Sequence, residues 1–502
     1  LPQDGIARAK DVLAALEESN QPAEFSIQLP PGRATANLRF STGHRIGDAE
    51  GFASPLVLLD LPPSTNPIEA LRPYRTVSAA KYPALELPSW SRFEWNSWYS
   101  YYMDISDEAI MRQVDYLAEN LKDLGPWQIS IDAGWNVAEG HPNAGWSEIN
   151  LEKFPWGIRP VVDYAHAAGV RATLYFSAPY LDNRAKPLNW LGLRVLVEQH
   201  PEWLIRVDSD EAGQGYAYDF SNPGFRKYLR DLFFDYLVTY GADGVEVDGL
   251  GMAPLALQSS DGRNRNGQVP AVTGQTMEIY RFIRDTVLEI WPSALIYSGW
   301  HTPLFANPYS HYFWHSDEFP GFTHQYPFGG FKEHVEYAIL QQGMWGQRSH
   351  MGFAYGDPNT NVTARWWLEA SIALGTHVAL GFDLPTMNPA TLSMFRERLA
   401  HYRPFTGEMF TVGSGYPPEV FGSRRDGFTY VGVMNSRTEP QGYRVPLEEL
   451  GLDPSQQYVL LDAEGGRYSL VNGHLMADLP PQSFRFYVLR SEPGVFWSNS
   501  SH

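Results

Sequence analysis

The chain has 502 residues, no cysteine and a formal charge of −19 at pH 7. That length provides for two or three domains with sizeable cores. The missing thiols exclude disulfides, thiolate nucleophiles and cysteine-based metal sites, and the acidic balance argues against nucleic acid and anionic membranes as partners.

Aromatic residues make up 14% of the chain, with 16 Trp and 28 Tyr, which suits either sugar-stacking surfaces or ordinary cores. The sequence begins at Leu1, which fits a processed or trimmed chain. It shows neither a signal peptide nor an apolar run long enough to cross a membrane, so localisation stays open between cytoplasmic and processed secreted. Asn361-Val-Thr and Asn499-Ser-Ser are formal glycosylation triplets of a kind that chance produces often.

Residues 1–90 read as an N-terminal β-containing segment and linker. A helix is expected over Ile6–Glu18 and strands at Glu24–Leu29, Ala34–Phe40 and Pro55–Leu61. Pro73, Pro83 and Pro88 mark 62–90 as connecting chain. So small a β-rich piece looks incomplete, as if part of an N-terminal domain were missing.

From Ser91 apolar strands alternate with amphipathic helices. Strands are expected at Phe93–Trp98, Trp127–Asp132, Arg171–Ser177, Gly244–Asp248, Ala294–Ser298, Tyr312–Ser316, Ser349–Tyr355 and His377–Gly381. Helices are expected at Asp107–Leu124, Ile158–Ala168, Leu191–Glu198, Phe225–Tyr240, Thr276–Ile290, Phe331–Gln342, Ala364–Leu374 and Pro389–Tyr402. Eight such alternations predict a (β/α)8 TIM barrel over 91–406. From 407 to 502 the period changes to two, with strands at Gly427–Met434, Tyr443–Pro446, Gln457–Leu461, Arg467–Val471 and Ser483–Leu489, which predicts a C-terminal antiparallel β-domain.

In a barrel the chemistry sits at the C-terminal ends of the strands. Those ends carry Trp98, Tyr99, Asp132, Phe176, Asp248, Ser298, Asp317 and Asp383. Glu246 and Asp248 are two apart and share one face of their strand. His301, His311, His315 and His324 form no HExxH motif, and no phosphate-cradling glycine loop is present, so neither a metal nor a cofactor is expected. Paired carboxylates with an aromatic wall fit glycoside hydrolysis, in which one carboxylate traps the oxocarbenium centre and the other protonates the leaving oxygen. The bland alternative is that these acids merely pair with arginines such as Arg171 or Arg348.

Six motifs, in order over roughly 91–435, resemble those of clan D glycoside hydrolases, closest to glycoside hydrolase family 36, the α-galactosidase and α-N-acetylgalactosaminidase group. Trp95-Asn-Ser-Trp-Tyr99 resembles the family's first-strand motif, and Ile131-Asp-Ala-Gly-Trp135 its Leu-Asp-Asp-Gly-Trp. Tyr218-Asp-Phe-Ser-Asn-Pro223 resembles its Leu-Asp-Leu-Ser-Asn-Pro, and Val245-Glu-Val-Asp248 its nucleophile strand, Phe-Lys-x-Asp. Trp314-His-Ser-Asp317 resembles its acid/base strand, and Leu380-Gly-Phe-Asp-Leu384 its barrel end.

The resemblance implies a retaining α-glycosidase with Asp248 as nucleophile and Asp317 as acid/base, Glu318 being the neighbouring rival. It implies that Asp132, Trp98, Tyr99, Phe176, Glu246, Ser298 and Trp314 contact the sugar. Two positions depart from it. Ala133 stands where the family has a second Asp, and Glu246 where it has Lys. Both family residues grip hydroxyls that define galactose, so altered sugar specificity is expected, with α-glucosides one candidate. Transglycosylation and a carbohydrate-binding relative without catalysis are the alternatives. The partner expected is a glycoside or oligosaccharide, with homo-oligomer formation left open.

Overall fold

A computed structural model describes residues 12–15, 23–28, 35–40, 57–60, 75–76, 79–80, 82–136, 146–177, 180–182, 199–209, 213–248, 272–299, 306–314, 327–345, 348–354, 361–400, 402–413, 418–462 and 473–491. At the N-terminus β1 (Val12–Ala15) pairs antiparallel with β4 (Val57–Asp60), and β2 (Ala23–Gln28) with β3 (Thr35–Phe40). Residues 12–15 are thus strand, where the sequence suggested helix. A short apolar run such as Val-Leu-Ala-Ala fits either period, and pairing with β4 decides it.

Eight parallel strands then close into a barrel. They are β5 (Phe93–Asn96), β6 (Trp127–Ile131), β7 (Arg171–Ser177), β11 (Gly244–Asp248), β12 (Leu295–Ser298), β13 (Tyr312–Trp314), β14 (Ser349–Ala354) and β15 (His377–Leu380). All eight expected strands form, most of them one or two residues shorter than expected. Between β7 and β11 the chain adds a small antiparallel sheet, β8 (Tyr180–Asp182), β9 (Leu204–Ser209) and β10 (Gly213–Tyr218), which the sequence pattern did not suggest. The helix expected at Leu191–Glu198 lies outside the described residues.

The described barrel helices are α1 (Asp107–Asn120), α2 (Arg159–Ala168), α3 (Pro223–Phe234), α4 (Val272–Ile290), α5 (Pro327–Ile339), α6 (Val362–Leu374) and α7 (Pro389–Leu399). Ser106 caps α1 by accepting from the Ala109 N–H. The Tyr218–Pro223 motif also has a capping role. Asp219 accepts from the Ser221 N–H and hydroxyl, Asn222 accepts from Gly224 N–H, and Pro223 opens α3.

The C-terminal strands form a five-stranded antiparallel sheet in the order β16 (Glu408–Val412), β17 (Val420–Arg425), β18 (Phe428–Asn435), β22 (Ser483–Ser491), β20 (Tyr458–Asp462), with β19 (Gln441–Pro446) and β21 (His474–Leu479) as a separate pair. β16, β17 and β21 were not expected, and the strand expected at Arg467–Val471 lies outside the described residues. The sheet shares a core with the barrel. Phe331 packs edge-on against Phe484 at 5.2 Å, and Phe421, Tyr430 and Phe486 join the barrel's apolar cluster. It also satisfies the C-terminus of α6, where Ser423 donates to Ala373 O at 2.6 Å and Arg425 donates to Ile372 O.

Candidate active site

The barrel interior is filled by residues of one strand parity. Glu94 and Asn96 on β5, Gln128 and Ser130 on β6, Glu246 on β11 and Tyr297 on β12 make contacts with one another across the barrel. β7 and β11 align Tyr175 with Glu246, Phe176 with Val247 and Ser177 with Asp248, so each pair faces the same way. Interior residues are therefore 175, 246 and 248, and Phe176 and Val247 point outward.

Asp248 ends β11 at the barrel mouth and is partly exposed. The Tyr175 hydroxyl donates to Asp248 Oδ2 at 2.6 Å. Burial and the adjacent Asp248 charge hold the Tyr175 phenol well above its usual range, so it stays a donor. Asp132 lies just past the end of β6, buried, and accepts from Asn96 Nδ2 at 3.0 Å and from Ala133 N–H at 2.6 Å. Burial pushes its carboxyl up to about 7. Asn96 and the Ala133 N–H pull it down, and the charges of Asp248 and Glu94 raise it further.

Glu246 sits one layer deeper and is buried. Its Oε2 receives Tyr297 OH at 2.7 Å, Asn96 Nδ2 at 3.2 Å and the Ser130 hydroxyl. Burial first, then the charges of Asp132 and Glu94, hold it well above the usual carboxylate range. Asn96 bridges Asp132 and Glu246, which makes its amide the hinge of the site's polar network.

Arg171 and Arg348 have described partners elsewhere. Arg171 binds Asp243 at 2.9 Å, and Arg348 donates to the Leu85 and His311 carbonyls. Asp383 is engaged by Tyr101 OH at 2.9 Å and by Gln113. His311 accepts from the Ile296 N–H through Nδ1 and is structural.

The expected subsite residues divide. Asp132, Glu246 and Asp248 converge. Tyr99 is buried beside Ala379 and Gly381, and Trp98 next to it is partly exposed on a helical turn, because β5 ends at Asn96. Trp314 faces inward against Tyr297, with ring centroids 5.6 Å apart. Phe176 and Ser298 are corrected by strand parity. The Phe176 ring is buried edge-on to Phe233 and Trp146 outside the barrel, and the Ser298 hydroxyl pairs with that of Ser310 at 3.0 Å. Asp317 and Glu318 lie outside the described residues. Sequence reasoning missed Asn96, Ser130, Tyr175 and Tyr297. Asn96 lies inside the first-strand motif, and Tyr175 is the neighbour of the aromatic chosen in its place.

No family model matches the sequence. A probable α-galactosidase B of Talaromyces emersonii is 29% identical over 231 residues, 45% of this chain and 44% of that protein. The α-galactosidase mel1 of Schizosaccharomyces pombe is 35% identical over 85 residues, 17% of this chain and 20% of that protein. The chain thus spans less than half the length of these curated relatives. Among solved structures, a glycoside hydrolase family 27 β-L-arabinopyranosidase from Geobacillus stearothermophilus superposes with a TM-score of 0.58 at 16% identity, covering 81% of this chain and 97% of that one. A variant of the family 36 α-galactosidase AgaA from the same organism, in complex with 1-deoxygalactonojirimycin, gives a TM-score of 0.60 at 16% identity, covering 92% of this chain and 62% of that one. The chain thus shares its fold with these glycoside hydrolase structures and is similar over part of its length to the α-galactosidases.

Proposed function

We propose that the chain is a retaining α-glycosidase acting on a terminal, galactose-like sugar. Asp248 attacks C1 and forms the covalent glycosyl-enzyme. Asp317 protonates the leaving oxygen and then takes the proton of the incoming water. Asp132 accepts sugar hydroxyls. The observation that carries this reading is the hydrogen bond from Tyr175 to Asp248 at the mouth of the barrel. It stabilises the ionised carboxylate that a nucleophile requires.

The sugar specificity follows from Ala133 and Glu246. Glu246 already takes three protein contacts and, as a carboxyl, cannot supply the cationic grip that a lysine would. Ala133 offers no side-chain hydrogen bond. A pocket with less hold on the hydroxyls that distinguish galactose accommodates pyranoses that vary there. The family 27 structural neighbour is a β-L-arabinopyranosidase, and mel1 an α-galactosidase.

The test is turnover of aryl α-galactoside, β-L-arabinopyranoside, α-N-acetylgalactosaminide and α-glucoside in parallel, with Asp248→Asn as the blank and the anomer of the first product followed by NMR. Cleavage with retention that Asp248→Asn abolishes supports the proposal. Inversion, or full activity in Asp248→Asn, overturns the mechanism. Products extended by an added acceptor sugar would identify a transglycosylase on the same site. Sugar binding without turnover on any of the four would identify a binding protein.

A further inference from the structure

Below the candidate site, at the N-terminal ends of the strands, three adjacent strands bring together side chains that the glycosidase mechanism does not use. Glu94 is the second residue of β5, His350 the second of β14 and His377 the first of β15. β14, β15 and β5 are neighbours in the barrel, and His350 is the register partner of His377. All three side chains are fully buried. Their ligand-type atoms all lie within 4.8 Å of one another.

We propose that Glu94, His350 and His377 hold a divalent transition metal, zinc by its donor set, as a structural centre in the floor of the barrel. Two imidazole nitrogens and a carboxylate oxygen are a zinc donor set, with bonds of about 2.0–2.2 Å, which in a tetrahedron puts ligand atoms roughly 3.3–3.6 Å apart. Glu94 Oε2 lies 3.2 Å from His377 Nε2 and 4.0 Å from His350 Nε2, values on either side of that spacing.

The second observation is His377 itself. Neither of its ring nitrogens has a hydrogen-bond partner, although the side chain is completely buried and Nε2 stands 3.2 Å from a carboxylate oxygen. A protonated Nε2 would be expected to align its N–H with Glu94. A bare Nε2 would turn its lone pair on another lone pair. A cation shared by both atoms removes the conflict. The buried Gln128 Oε1 is likewise without a donor, while its Nε2 donates to Glu94 Oε2 at 3.1 Å. The Tyr312 hydroxyl donates to the same Glu94 Oε2 at 3.1 Å. The Tyr297 hydroxyl, 2.8 Å from Glu94 Oε1, orients the carboxylate as an outer-shell partner does. With every donor buried, the centre is closed and structural rather than open and catalytic.

The test is the metal content of the full chain, purified without chelator and, separately, refolded with zinc alone after chelation, measured by elemental analysis beside His377→Gln and the double variant His350→Gln/His377→Gln. The proposal expects about one equivalent in the wild type, less than about a tenth in the double variant, and a melting temperature of the chelated, refolded wild type that zinc raises by about 5 °C or more. Wild type that refolds with native circular dichroism yet binds less than about a tenth of an equivalent overturns it. So does a double variant that folds and retains the full equivalent. Neither readout depends on glycosidase activity, so this inference stands or falls apart from the proposed function.

Discussion

Tyr175 and Asp248 meet at 2.6 Å across adjacent barrel strands, the phenol donating to the carboxylate of the candidate nucleophile. A hydrogen bond to a charged group contributes about 1.5–3 kcal/mol. Tyr175→Phe is therefore expected to lower kcat/KM by about 10- to 100-fold, with the loss mainly in kcat, if the hydrogen bond serves to hold the carboxylate in its attacking orientation. A loss confined to KM would show that Tyr175 shapes the pocket rather than the nucleophile.

Burial pushes the Asp132 carboxyl up to about 7. As an ionised acceptor for sugar hydroxyls it makes kcat/KM rise with pH through that value. Asp132→Asn should flatten this limb of the profile while leaving the other limb in place. A limb near pH 7 that survives the substitution would belong to another group.

Glu246 and Asp132 also set the pH dependence of stability. Both carboxyls are held above their unfolded values, so the folded state keeps protons that the unfolded state has lost. Their stabilising contribution is complete below about pH 4, the unfolded range. It declines as pH rises toward the folded values, about 7 for Asp132. Glu246→Gln should therefore melt higher than the wild type at pH 8, by about 2–4 °C, and close to it at pH 4. Thermal melts at both pH values check this; a variant less stable at pH 8 would mean that Glu246 is ionised and gripped by its three donors.

The barrel was legible because its strands are short apolar runs separated by helices with clear apolar faces, and that alternation permits few architectures. Parity within a strand was not legible. Barrel strands are buried on both faces and lose the alternation that marks an inner side. In Tyr175-Phe176 both residues are aromatic and buried, and choosing between them needs the register with β11. Ser298 went the same way, and Trp98 was displaced because β5 stops two residues earlier than its apolar pattern suggested. The acids were legible because carboxylates are rare on such strands. Glu94, His350 and His377 were not, because they sit at strand beginnings, where a search of strand ends does not look.

Gly299 and Trp314 are locked together. A Cβ on Gly299 would fall 1.7 Å from Trp314 Cε2, so the indole needs glycine at that position. Gly299→Ala must push Trp314 off Tyr297 or shift β12, and overpacking of this kind costs about 1–3 kcal/mol. The melting temperature should fall by several degrees, and tryptophan emission should move to longer wavelength as Trp314 leaves its buried place. Because the clash is with one ring, the double variant Gly299→Ala/Trp314→Leu should melt higher than Gly299→Ala alone. If the double variant is instead the sum of two independent losses, the two residues are not in contact and the inward placement of Trp314 fails with them.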